Sequence, residues 1–367
     1  MCAVRVAFDA GPLAGVRTGV GQAVAAVRDA LGRRTDVHLE EYVVSFRAEL
    51  TCGERRLPLP AALAHRLWSR SDHPGVDRWL PGIEVIHGTN YVVPPSRRPR
   101  LVSVYDCWFL RNPEAAHPDV RRAGEVLRRA VRTGAAVHAS SQATADALGE
   151  LLGDADLDVT VIPLGPLPVL SAPAVSPIAE LDGRPYVLAI GTLERRKNLP
   201  TLVEAFAQLA SEQPDVLLVI AGADGDDRPA IDAAIDRIGA QHADRVMLTG
   251  RIDAPTRAWL LRHARVLAYP SLDEGFGFPL LDAMQLRIPL VASDAGSIPE
   301  VAGGAALLSP PRDVDALAAN LAAALASDEI RAGLIAAGDS RWHQFSWDLC
   351  AEQLTSLYRR LAEAEAR

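Results

Sequence analysis

"YVLAIGTLERRKNLPTLVEAFAQL", residues 186–209, decides how the rest of the chain is read. Tyr186 to Ile190 is an apolar run without alternation that stops at Gly191, the pattern of a strand buried on both faces of a parallel sheet. After the loop "TLERRK" a helix begins near Asn198, read as its N-cap, with Pro200 in the first turn. A strand, a loop and a helix make part of a βαβ unit. A parallel sheet requires the pattern to recur.

It recurs in two series. Residues 4–10, 37–46, 83–88, 101–106, 135–140 and 159–163 read as strands of the first, with helical segments between several of them. Residues 186–191, 216–222, 245–250, 265–271, 288–293 and 304–309 form the second. Near-continuous apolar strands alternating with helices predict two doubly wound, Rossmann-like α/β domains. The expected boundaries are 1–165 for the first domain and 185–345 for the second. Residues 166–184, proline-rich and without periodicity, form a linker. The terminal segment 346–367 carries Leu349, Leu354, Leu357, Tyr358 and Leu361 at helical spacing, a stripe that needs a surface to cover.

The composition agrees with a soluble two-domain protein: 367 residues, 49% hydrophobic and 23% charged. No uninterrupted apolar stretch reaches the roughly 18 residues of a membrane span, and Arg5 and Asp9 stand where a signal peptide would be apolar. The expected location is the cytoplasm, with an option on the inner face of a membrane. Cys2, Cys52, Cys107 and Cys350 follow no metal or disulfide spacing, so reduced thiols are expected. The net charge is −8. Residues 1–175 hold 20 basic and 19 acidic residues, and the remainder holds 18 and 27, a balance that argues against nucleic-acid binding. The local exception is residues 119–134, where Arg121, Arg122, Arg128, Arg129 and Arg132 share a helical pattern with Val126, Leu127 and Val131. That helix offers a contact to an anionic membrane or acidic acceptor; the ordinary reading is a solvated helix with its apolar stripe on the core.

Ligands of open parallel sheets bind beyond the carboxyl ends of the strands. In the loop after the first strand, Gly15, Gly19 and Gly21 allow backbone to approach a phosphate or sugar, but Val24 occupies the place of the third dinucleotide-fingerprint glycine, which excludes NAD. The equivalent loop of the second domain holds Arg195, Arg196 and Lys197. Lys197 is the one lysine among 38 basic residues. Three cations beside a helix N-terminus oppose the helix dipole, and they make sense when a diphosphate arrives. In "YPSLDEGFGFPLLDAM", residues 269–284, Glu274 precedes Gly275, Phe276 and Gly277, and Asp282 lies in the helix that follows. Carboxylates flanking amide-rich backbone suit the hydroxylated ends of a nucleotide sugar. The nine histidines form no HxH or HxxxH pair, so no metal site is expected.

The set "GTLERRKNLPTLVEAF", "YPSLDEGFGFPLLDAM" and "PLVASDAGSIPEVAGGAALL", with "GVRTGVG", "HGTNYVVP", "YDCWFLRNPE" and "VIPLG", resembles the retaining family 4 glycosyltransferases that include sucrose synthases and bacterial mannosyltransferases. The resemblance implies the GT-B architecture: two facing Rossmann-like domains, an interdomain cleft, and a last helix that crosses back to the first domain. It implies a nucleoside diphosphate sugar as donor substrate, with no cofactor. It assigns Arg196 and Lys197 to the diphosphate, and Glu274 with the Gly275–Gly277 backbone to the donor sugar. Gly19 and Gly21 meet the diphosphate from the other domain. Arg251 and Ile252, after Gly250, lie near the base, and Asp282 takes the ribose position, where relatives usually have glutamate. Asp106 and His87 line the acceptor side, and Tyr105 stands where many relatives have histidine.

These implications define a metal-independent retaining hexosyltransferase, tilted toward a GDP-mannose-like donor and a saccharide, lipid-linked or small-molecule acceptor in polysaccharide or glycoconjugate assembly. The alternatives are a sugar-nucleotide epimerase, a phosphorylase and a noncatalytic nucleotide-sugar-binding protein.

Overall fold

The computed structural model describes residues 3–15, 19–45, 53–114, 116–153, 157–168, 178–181 and 183–365. The chain divides into two compact units, Met1–Gly165 with Phe345–Arg367, and Pro166–Gln344.

The first unit is built on seven strands: β1 (Val4–Asp9), β2 (Val37–Val43), β3 (Arg55–Arg56), β4 (Val85–Gly88), β5 (Arg100–Val104), β6 (Ala136–Ala139) and β7 (Val159–Val161). Their order is β3-β2-β1-β4-β5-β6-β7, and every pairing is parallel. The chain winds outward from β1 to β3, then returns to place β4 on the other side of β1. That reversal is a topological switch point. Six of these strands follow the apolar runs in the sequence. β3 was not expected, because two arginines make no apolar run; only its pairing with Tyr42 and Val43 defines it.

The second unit repeats the plan with β8 (Tyr186–Ile190), β9 (Leu217–Ala221), β10 (Val246–Gly250), β11 (Val266–Tyr269), β12 (Leu290–Ser293) and β13 (Ala306–Ser309). Their order, β10-β9-β8-β11-β12-β13, is again wholly parallel, and the switch point lies between β8 and β11. β8, β9, β11 and β12 are buried along their whole length, which is why their sequences show no alternation. The helix Leu199–Glu212 lays Leu202, Val203, Phe206 and Leu209 into a core with Val187, Leu218 and Leu321.

The terminal helix Trp347–Glu365 packs on the helix Gly19–Gly32, β1 and β4. It buries Leu354, Leu357 and Tyr358, whereas Leu349 is 42% exposed and does not belong to the covered stripe. Arg33–Asp348, Arg359–Asp36 and Arg360–Asp158 ion pairs flank this contact. At Gly165 a Cβ would stand 2.5 Å from the Trp347 amide nitrogen, so the chain needs glycine to leave the first unit here.

In the arginine-rich helix Pro118–Arg132, Val126, Leu127, Ala130 and Val131 join the core of the first unit. Arg122 and Arg129 pair with Asp119 and Asp72, and Arg128 donates to the Leu151 carbonyl. The apolar stripe is therefore spent on the core. Among the described residues no helix is long and apolar enough to cross a membrane. Cys107 and Cys350 are free and buried; Cys2 and Cys52 lie outside the described residues.

Candidate functional site: an ion-paired cluster at the switch point of the second unit

The loops after β8 and β11 meet at the carboxyl edge of the second sheet. The first contains a single 3-10 turn, Arg195–Lys197, and the second carries Ser271 to Gly277. Leu272 N–H donates to the Arg196 carbonyl (2.7 Å), which ties the two loops by their backbones. Asn198 does not cap its helix through its side chain as expected. It takes the left-handed conformation (φ 53°, ψ 36°), and its amide donates to the Pro270 and Pro311 carbonyls. The helix start is thus stitched to the loops after β11 and β13.

Glu274 is the centre of the cluster. Lys197 Nζ donates to its Oε1 (2.5 Å), Arg196 Nη1 to its Oε2 (2.7 Å) and Ser271 Oγ to Oε1 (2.8 Å). Arg196 also reaches Glu194, Nε to Oε2 at 2.9 Å. Lys197 donates to the Tyr269 hydroxyl at 2.9 Å and lies 4.7 Å from that ring's centroid, so the ring face adds a cation–π contact. Exposure rises outward across the cluster, from 6% for the Glu274 side chain through 11% for Lys197 to 22% for Arg196.

The environment sets the charges. Burial alone would raise the Glu274 carboxyl; the Arg196 and Lys197 charges outweigh it and hold its pKa at about 2. Burial pulls the Lys197 ammonium below its ordinary value, with Glu274 opposing. The carboxylate is fixed by its surroundings as well. Ser297 N–H donates to the Glu274 carbonyl (2.9 Å), and Ser293 Oγ donates to the Ser271 carbonyl (2.5 Å). At Gly296 (φ 55°) a Cβ would stand 2.5 Å from the Glu274 carbonyl oxygen. Gly191 (φ 143°) lies against the lysine: a Cβ there would lie 3.4 Å from Lys197 Cε.

The sequence-selected residues are not equally placed. Arg196, Lys197 and Glu274 converge. Phe276 is buried and makes an edge contact with Phe278, while Gly277 (φ 87°) opens the helix Phe278–Gln285. Gly275 lies between Glu274 and Phe276 at the same carboxyl edge. Arg251 is exposed and Ile252 half-buried on the loop after β10, two strands from β8. Asp282 departs from expectation. It is fully buried, its Oδ2 is ion-paired to Arg257, and its Oδ1 has no hydrogen-bond partner among the described residues. Burial raises its carboxyl and Arg257 opposes that. Its carboxylate is covered by a guanidinium, so it is not an open acceptor for ribose hydroxyls in this state.

In the first unit, Gly19 and Gly21 open the helix Gly19–Gly32, and a Cβ at Gly19 would meet nothing within 4 Å among the described residues. Residues 16–18 of the glycine loop lie outside the described residues. Asp106 sits at the carboxyl edge, accepting from Trp108 N–H (3.1 Å) and the Tyr91 hydroxyl (3.2 Å). His87 corrects the sequence reading. It is buried, with Nδ1 bonded to the Tyr358 hydroxyl (2.7 Å) and Nε2 to Ser103 Oγ (2.8 Å), and burial holds its pKa well below the ordinary value. Both ring nitrogens are committed, so His87 anchors the terminal helix and does not line a site. Tyr105 is buried as well.

Sequence reasoning missed Tyr269, Ser271, Glu194 and Arg257. Their types are ordinary in loops and strands, and only Ser271 had a visible signal, its place at the end of a strand. No trio of His, Cys, Asp or Glu able to hold a metal ion occurs among the described residues.

Residues 175–341 match the family model "Glycosyl transferases group 1". An O-antigen chain mannosyltransferase B from Escherichia coli is 34% identical over 183 residues, which covers 50% of this chain and 48% of that protein. The match thus spans about half the relative's length. A phosphatidyl-myo-inositol mannosyltransferase from Mycobacterium leprae is 28% identical over 355 residues, covering 90% of this chain and 87% of the relative. A sucrose-phosphate synthase structure from Thermosynechococcus elongatus superposes with a TM-score of 0.74 at 22% identity, over 99% of this chain and all of that one. Residues 175–341 are therefore similar to the glycosyl transferases group 1 family, and the chain has a fold of two Rossmann-like units of the GT-B class.

Proposed function

We propose that this protein is a retaining, metal-independent glycosyltransferase that moves a hexose from a nucleoside diphosphate sugar to an acceptor hydroxyl. The observation that carries the reading is the Arg196–Glu274–Lys197 cluster. It puts two cations at the carboxyl edge of a doubly wound sheet, at its switch point, inside the matched segment.

In the proposed reaction the bond from sugar C1 to the β-phosphate oxygen breaks and its electron pair leaves with the diphosphate. The acceptor oxygen bonds C1 on the same face, and the acceptor proton ends on the departing diphosphate. Negative charge grows on that leaving group, and Arg196 and Lys197 are held where they can stabilise it. Glu274 keeps both cations in place without a donor and gives them up in part to a diphosphate. Two fixed protein cations take the part a divalent metal would otherwise play. A GDP-mannose-like donor is favoured because several relatives, including both described above, bear mannosyltransferase names. Polysaccharide or glycoconjugate assembly is the corresponding process.

The test is a melting screen with GDP, UDP, dTDP and ADP, each without and with magnesium, followed by donor hydrolysis. Ligand at a hundred times its Kd adds about 2.7 kcal/mol, a readable shift. GDP alone is expected to shift the transition, equally without magnesium, and GDP-mannose to be hydrolysed slowly with its anomeric configuration retained. A strict magnesium requirement would remove the metal-free reading. Nucleotide binding without any transfer or hydrolysis would leave a binding protein.

A further inference from the structure

The amino edge of the first sheet holds an arginine without a counter-charge. Arg100 opens β5 and is 8% exposed, a burial that arginine rarely accepts unless a carboxylate pairs with it. Its Nη2 donates to the Thr133 carbonyl and to Thr133 Oγ1 (3.1 Å), which closes the C-terminal turn of the helix Pro118–Arg132. Its Nε and Nη1 donate to nothing among the described residues and are not fully enclosed. Burial pulls the Arg100 guanidinium below its ordinary pKa; Asp72 opposes that and Arg129 adds to it. Asp72 is already taken, because Arg129 holds it with two bonds, Nε to Oδ1 at 3.2 Å and Nη2 to Oδ2 at 3.0 Å.

Arg100 lines an open cleft of about 670 Å³, the size of a small-molecule site, and the exposed Arg78 and Arg97 line it too. Neither of these has a carboxylate partner among the described residues. The Arg78 guanidinium lies 4.0 Å from the centroid of the Trp79 ring, and Arg97 uses only its backbone N–H, toward Asp77. Asp77, the other acid of the cleft, is spent on structure: its Oδ1 accepts from Ser96 Oγ (2.7 Å) and Arg97 N–H (3.1 Å). The walls are fixed independently of the arginines. Val76 N–H donates to the Pro95 carbonyl (3.0 Å), and Trp68 Nε1 donates to the Pro74 carbonyl (3.1 Å), which ties both wall segments to the helix Ala61–Trp68. Three guanidiniums therefore lack a carboxylate, while both carboxylates already have donors. What the cleft lacks is an anion with several acceptor oxygens. A phosphate ester brings three such oxygens and nearly two charges, and its geometry matches the forks of more than one arginine. A phosphate alone fills a small part of the space, and the rest has room for the group esterified to it.

We propose that Arg100, with Arg97 and Arg78, forms a binding site for the phosphate group of a small phosphorylated molecule, at the edge of the first sheet opposite the one that carries Asp106. The buried Arg100 supplies the fixed donors, and the two exposed arginines close on the anion from the surface. The same phosphate chemistry occurs in a free phosphate ester and in the headgroup of an anionic lipid, and the experiment separates these two sources. The site does not depend on the glycosyltransferase reading.

The experiment is isothermal titration of the full chain with glycerol 3-phosphate, with uncharged glycerol as the comparison. Glycerol 3-phosphate is expected to bind and glycerol not. Arg100→Gln should weaken binding about tenfold or more, through loss of charge-assisted hydrogen bonds. Arg97→Gln changes an exposed side chain, keeps the backbone bond to Asp77 and should weaken binding about fivefold; it decides the matter if Arg100→Gln fails to fold. Lys197→Ala should leave this binding unchanged, which separates the cleft from the cluster in the second unit. Sedimentation with vesicles of phosphatidylglycerol in phosphatidylcholine is the second arm. Vesicle binding that Arg97→Gln weakens and glycerol 3-phosphate displaces assigns the cleft to a lipid headgroup. Titration that depends on Arg97, with vesicle binding absent or indifferent to Arg97→Gln, assigns it to a free phosphate ester. No binding of glycerol 3-phosphate by the wild type, unchanged binding in the folded arginine variants, or loss of binding in Lys197→Ala overturns the proposal.

Discussion

Lys197 has a place that another cation does not fill. It is bounded by Gly191 behind, the Tyr269 ring to one side and Glu274 ahead, and the cavity between Gly191, Leu199, Tyr269 and Ser271 measures about 10 Å³. That holds one water at most, and a guanidinium brings more heavy atoms than the space admits. Lys197→Arg should therefore fold, keep nucleotide binding within a few-fold, and lose about tenfold or more in turnover, because the charge is kept but moved off the leaving oxygen. Lys197→Ala should lose on the order of 10²-fold in kcat. Comparing kcat with nucleotide affinity in the two variants checks this; full turnover in Lys197→Arg would make the lysine incidental. Gly191→Ala tests the wall behind it. At φ 143° an alanine is strained, and its Cβ would sit in contact with Lys197 Cε at 3.4 Å, so a stability loss of about 1–2 kcal/mol, with weaker nucleotide binding if the backbone shifts the lysine, is expected in urea melts and titrations. The lysine could be singled out from the sequence because it is unique, whereas Tyr269 and Ser271 carried no comparable mark.

At the scale of elements, the site depends on a joint between three loops. Asn198 donates to the carbonyls of Pro270 and Pro311, and Thr201 Oγ1 donates back to Asn198 Oδ1 at 2.8 Å. Asn198→Ala leaves two carbonyls without that donor and puts a Cβ residue with no local hydrogen bond into the left-handed region. The expected loss is about 2–3 kcal/mol. Asn198→Gly relieves the backbone and should recover about 1 kcal/mol of it, which denaturant melts of both variants would resolve. Sequence reasoning placed this helix start correctly and assigned the wrong job to its asparagine, since a left-handed cap and an ordinary N-cap both favour Asn. The strands were legible because burial on both faces leaves an unbroken apolar run, as in β8 and β9. β3 was not, because its identity lies in its partner's hydrogen bonds. Asp282 shows the same limit: its spacing from Glu274 is visible in the chain, but Arg257, which covers it, comes from a helix 25 residues away in sequence.

At the scale of the whole molecule, the two units should answer acid differently. In the first, a buried chain runs from Tyr358 on the terminal helix through His87 and Ser103 to His138, whose Nε2 meets the Ile162 carbonyl at 3.0 Å. Burial lowers the His138 pKa to about 4 and takes His87 well below its ordinary value. The unfolded chain therefore binds more protons below pH 6.5, and stability falls as pH drops from there toward 4. A shift of that size in His138 alone is worth on the order of 3 kcal/mol. Asp9 opposes this, since its raised pKa makes the folded state gain stability as pH falls from 7 toward 4, and burial raises Glu41 in the same sense; His65, also lowered by burial, acts with His87 and His138, so three histidines stand against two carboxyls. In the second unit the paired Glu274 carboxylate, at about 2, loses its contribution only as pH falls below about 4.5. Hydrogen exchange read by mass spectrometry at pH 7, 5.5 and 4.5, corrected for intrinsic rates, separates the units. Protection in β4, β5, β6 and the terminal helix should fall first, while β8 and β11 hold. Asp9→Asn removes the more strongly raised of the opposing carboxyls and should steepen the loss. Simultaneous loss in both units, or a first unit that gains protection toward pH 4.5, would show that the buried histidine chain does not govern the tether of the terminal helix.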